Sequence, residues 1–137
     1  DCLSGYLLLG AMIALSEKNS KYADAFNFGP GPGANLPVSA IVDQILKIWP
    51  GQWEDCSDPN APHEAQSLNL AIDKSSTVLG WHPVWQTNHA VEKTVQWYHQ
   101  RHVEKTKDLL DFSLAQIDAY IADARQQKAA WANSVSV

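Results

Sequence analysis

A chain of 137 residues, 45% apolar and 18% charged, is long enough for one domain and too apolar to be disordered. Its net charge of −5, with the basic residues scattered, argues against a nucleic-acid surface, which needs a concentration of Lys and Arg. Two cysteines, Cys2 and Cys56, make no disulfide framework and fit a reducing cytoplasm.

Residues 2–16 are expected to form a helix. Apolar side chains run nearly all round it, from Leu3 through Tyr6, Leu7, Leu8, Met12 and Ile13 to Leu15. Such a helix needs cover on most faces, which a domain of this size does not provide. Self-association through helix 2–16, or an exposed patch that binds a hydrophobic dye, is therefore expected. No basic stretch precedes residues 6–15 and ten residues do not span a bilayer, so neither a signal peptide nor a membrane segment is expected.

After the polar stretch 16–24, the residues Ala25 to Gly29 read as a short strand anchored by Phe26 and Phe28. The glycines that follow are poor phosphate binders, because Pro30 and Pro32 remove backbone donors and the next helix starts several residues later. A stiff turn is the better reading. Val38 to Trp49 is amphipathic, with Val38, Ile41, Val42, Ile45, Leu46 and Trp49 at helical spacing. Pro37 suits its first turn, and Pro50-Gly51 ends it. Gln52 to Cys56 is a further candidate strand.

Leu68, Leu70 and Ile72 alternate with small or polar residues, as in a half-buried strand. Asp73 stands where the N-cap of a short helix belongs, and Gly80 where it ends. From Thr87 or Asn88 a long helix is expected to run to about Lys105, with Val91, Val95, Tyr98 and His102 on one stripe. Ser113 and Gln116 have the spacing of a capping box. They predict a last helix from Ser113 to about Trp131, followed by a frayed tail at 132–137.

His99 and His102 stand three apart on the long helix, a spacing that metals use, but an ordinary helix face explains them as well. His82 and His89 read as surface residues. Cys2 and Cys56 lack a basic neighbour in sequence and read as buried, inert thiols. No nucleophile arrangement stands out, and Ser4, Ser75, Ser76 and Ser113 sit in helix or cap contexts that explain them. Trp49, Trp53, Trp81, Trp85 and Trp97 read first as core, with a nucleotide-stacking surface as the alternative. His63-Glu64, on the loop into the third candidate strand, is the polar pair to single out. Glu64 is either an ordinary surface carboxylate or an acceptor for two ribose hydroxyls at once.

Several segments carry a resemblance: LSGYLLLG at 3–10, AFNFGP at 25–30, HEA at 63–65, the spaced L-x-L-x-x-x-K-x-x-x-x-LGW-x-P-x-W from 68 to 85, and SLAQIDAY at 113–120. Together they resemble the C-terminal part of the CDP-glucose 4,6-dehydratase group. That group belongs to the extended short-chain dehydrogenase/reductase family acting on nucleotide sugars. The resemblance covers nearly all of residues 1–120 and only the C-terminal part of such an enzyme. It implies an α/β, mainly helical, substrate-side domain over 1–137, with two or three short strands and about five helices. Within it, 1–112 would be the family-like core and 113–131 the C-terminal helix. The Rossmann domain, with its glycine-rich cofactor loop and catalytic Tyr-x-x-x-Lys, would be missing from this chain. A chain that begins at Asp1 agrees with an excised piece.

For the intact parent the resemblance implies a cytoplasmic hydro-lyase of deoxysugar biosynthesis, as for lipopolysaccharide O-antigen. A tightly held NAD there oxidises the sugar at C4, water leaves across C5–C6, and hydride returns to C6, giving CDP-4-keto-6-deoxyglucose. It also implies that Glu64, in Pro62-His63-Glu64, grips the ribose of CDP-glucose, with His63 shaping the loop. Ala61 stands where the wider group often has a phosphate-binding Arg. No catalytic, cofactor-binding or metal residue is expected in this chain, and the fragment alone is expected to be inactive and to bind no NAD. A stand-alone, non-catalytic helical interaction module derived from that family is the other reading.

Overall fold

The computed structural model describes residues 1–16, 21–31, 33–58 and 69–132. Five helices follow one another: α1 (Cys2–Leu15), α2 (Val38–Ile48), α3 (Asp73–Leu79), α4 (Thr87–His102) and α5 (Leu110–Gln126). α2 packs on α4, α1 on α3, and α4 on α5.

α1, α2 and α4 form close to the sequence expectation. α2 packs on α4 with Val38 of its expected stripe left exposed, and Gln44 Nε2 donates to Asn88 Oδ1 across the contact at 2.9 Å. Pro37 precedes the first turn rather than entering it, and its carbonyl accepts from the N–H groups of Ala40 and Ile41. Gly80 ends α3 as expected, in the left-handed region at φ 63°, and its N–H returns to Ser76.

Several expectations fail. No strand forms among the described residues; 25–29, 52–56 and 69–72 are irregular. Alternating side chains report one-sided burial, but a strand also needs a partner ladder. The segments around Phe28 and Leu70 do lie side by side, with Asn27 Nδ2 donating to Ala71 O at 3.2 Å, without backbone pairing. Asp73 is the first residue of α3 and makes no cap bond; Ile72 holds the cap position. Ser113 does not start α5 either. The helix begins at Leu110, whose N–H is taken by Asp108 Oδ1 at 2.9 Å. Ser113 and Gln116 face α4 instead: Trp97 Nε1 donates to Ser113 Oγ at 3.0 Å, and Gln116 Nε2 donates to Lys93 O at 2.9 Å.

α5 ends at Gln126, short of Trp131, because Lys128 turns left-handed at φ 57°. The Ala129 N–H then returns to Ala124 O at 2.8 Å and that of Lys128 to Arg125 O, a Schellman closure with lysine in the glycine position.

The core has two adjoining clusters. Phe28, Leu79 and Trp81 form one, flanked by Leu8, Leu9, Met12, Tyr22 and Phe26. Val84, Ala124 and Ala132 form the other, flanked by Trp85, Tyr120 and Ala129. Trp131 packs against both. The tryptophans divide accordingly. Trp81 is fully buried, Trp49, Trp85 and Trp97 are half-buried, and Trp53 is exposed, so it is not a core residue.

Candidate functional site

His63 and Glu64, with Ala61 and Pro62 ahead of them, lie outside the described residues, as does Leu68 of the following segment. The described chain reaches them from Asp58 on one side and Asn69 on the other.

What the structure does bring together is a polar network around Ser4. Trp81 Nε1 donates to Ser4 Oγ at 3.0 Å. The same oxygen lies 2.7 Å from the Asp1 carbonyl and 2.9 Å from Tyr120 Oη. Tyr120 Oη donates to Asp1 Oδ1 at 2.8 Å. A carboxylate is the stronger acceptor, so it takes the phenolic proton. Ser4 then divides its own proton between the Asp1 carbonyl and the Tyr120 oxygen. Asp1 Oδ1 also accepts the Val84 N–H at 2.7 Å. One carboxylate thus ties the start of α1 to the turn after Trp81 and to the middle of α5.

Burial raises the Tyr120 phenol above its ordinary pKa; the Ser4 hydrogen bond pulls it partly back, and Cys2 adds a small upward push. A phenol raised in this way stays protonated at neutral pH and is no base. None of the partners of Ser4 is a base either. The network therefore holds the helices together and offers no nucleophile.

Two hollows adjoin it. An open groove of about 360 Å³ is lined by Trp85, Lys93, Trp97, Tyr98 and Gln116, with Asp1 at its edge. Its Trp97 and Gln116 donors are already spent on Ser113 and Lys93. A hollow of about 90 Å³ between Pro30–Gly31 and Pro83–Thr87 is too small for a nucleotide.

The remaining candidates are placed plainly. His102 stacks on Trp49, with centroids 6.2 Å apart, and His99 meets the same ring edge-on at 5.8 Å. Aromatic packing between α2 and α4 explains both. His89 is not a surface residue: it is half-buried and leans on Trp85 at 4.9 Å. His82 is exposed, as expected. Cys2 and Cys56 are exposed, not buried. Cys2 falls on the uncovered side of α1, although its thiol reaches the Phe28 carbonyl at 3.3 Å. Among the described residues no group of three or more His, Cys, Asp or Glu is placed to hold a metal. None of the described helices is long and apolar enough to cross a membrane.

The described residues do not fit NAD. A dinucleotide needs glycines running directly into a helix N-terminus. Here Gly29 is packed against Leu70 and Ile72, Pro30 has no N–H, and α2 starts only at Val38.

Sequence reasoning missed Asp1, Ser4 and Tyr120 because their partners lie up to 119 residues away. Each looked like an ordinary cap or helix residue in its local context. No family model, curated protein or solved structure matches this chain.

Proposed function

We propose that the chain is the nucleotide-sugar-binding, C-terminal part of an NAD-dependent dehydratase resembling CDP-glucose 4,6-dehydratase. One observation supports this reading above the others. Segments that carry the resemblance, far apart in sequence, meet at one point in space. Ser4 and Gly5 come from LSGYLLLG, Phe28 from AFNFGP, Trp81 from LGW and Tyr120 from SLAQIDAY. Gly5 lies directly under the Phe28 ring. Phe28 meets Trp81 edge-on at 5.1 Å, and Trp81 and Tyr120 both bond Ser4.

On this reading the motif residues are the frame, and the stretch with His63 and Glu64 carries the binding chemistry. Glu64 accepts the ribose hydroxyls of CDP-glucose, and His63 shapes the loop. The NAD and the catalytic residues belong to the Rossmann domain of the intact cytoplasmic parent, since the residues here do not fit the cofactor. The isolated chain turns over no CDP-glucose. The uncovered apolar side of α1 suits the stand-alone interaction module too. The reading frame upstream of Asp1 separates the two: a glycine-rich βαβ pattern there supports the enzyme, and a start codon immediately before Asp1 the module.

The direct test is titration of the intact protein with CDP, wild type against Glu64→Ala. A hydrogen bond to a charged group is worth about 1.5–3 kcal/mol, so affinity is expected to fall roughly ten- to a hundredfold. Turnover at saturating CDP-glucose changes little, because the lost contact is uniform binding. Glu64→Gln is milder, and His63→Ala milder still. Equal affinities for wild type and Glu64→Ala return Glu64 to the ordinary surface carboxylates.

A further inference from the structure

We draw no further inference here: the strongest candidate, the apolar outer face of α1, where Leu3, Leu7 and Leu15 are 74%, 76% and 82% exposed and no residue is charged, carries nothing because nothing in the structure shows what covers it.

Discussion

Replacing Gly5 by alanine puts a methyl group into the ring of Phe28. The new Cβ falls 2.5 Å from Cε1 and 2.7 Å from Cγ, and closer still to Cδ1. Phe28 is 5% exposed and has Trp81 at its other side, with Tyr6 also against it, so the ring has little room to retreat. Gly10 on the same helix is the control, because a Cβ there meets nothing within 4 Å. Alanine in a helix interior is favoured over glycine by about 0.8–1 kcal/mol, and Gly10→Ala should gain about that much. Gly5→Ala has the same propensity gain, but overpacking typically costs about 1–3 kcal/mol, and overlap with a trapped ring belongs at the upper end. The expected net loss is roughly 1–2 kcal/mol, so the two variants should differ by roughly 2–3 kcal/mol. For a chain of this length that corresponds to roughly 6–15 °C between their melting temperatures. The assay is urea unfolding followed by tryptophan fluorescence, at one low protein concentration. Equal stabilisation by both substitutions would refute the contact. The double variant Gly5→Ala/Phe28→Leu should recover part of the loss, a coupling that neighbours show and distant sites do not.

Trp85→Phe removes the Nε1–H donated to Asp123 Oδ2 at 2.8 Å, a half-buried bond to a charged group. Stability should fall by about 1.5–3 kcal/mol in urea unfolding, and an unchanged midpoint would show the bond contributes nothing. Tyr120 should titrate above the usual value of 10.0, seen as late phenolate absorbance, and Ser4→Ala should push it higher by removing the bond that lowers it. Because its folded pKa is raised, its stabilising contribution is whole below pH about 10 and is lost as pH rises through the folded value. Asp24 is exposed and held below 3.8 first by its hydrogen bond to Lys74, then by the Ala25 N–H and the Lys74 charge. Its contribution is present above pH about 4 and fades as pH falls through the lowered value. Lys74→Met should move the Asp24 titration, followed by NMR, back towards 3.8; no movement would refute the pairing.

Residue patterns made α2 and α4 legible because a 3.6-residue repeat records a packed side, whereas α1 was legible as an unbroken apolar run without proline. Gly80 was legible because few residues other than glycine accept a left-handed cap. The start of α5 was not: Ser113 and Gln116 have the letters of a capping box, but Trp97 and Lys93 claim their side chains, while Asp108 supplies the acceptor. Nor were the strands: the alternation at 68–72 predicted a dry side, yet Leu70 is exposed and 69–72 pairs with no neighbour among the described residues. The Ser4 network was invisible for a related reason: its members are joined by contacts across most of the chain, and a local window holds only Asp1 with Ser4, or Trp81 with Val84. Of the candidate binding residues, His63 and Glu64 fall outside the described residues, so for them the sequence still stands alone.

α2 buries no residue completely, and α4 is the only described helix on which it packs. The Ser4 network, by contrast, joins α1, the turn after Trp81 and α5. The two parts should therefore loosen at different cost. Amides of Ile41, Val42 and Ile45 should exchange with solvent through a local opening that swings α2, with Trp49 at its end, away from His99 and His102 of α4. Amides beneath Trp81 should wait for global unfolding. A protease that nicks the opened state would cut beside α2 first, leaving the remaining four helices still folded.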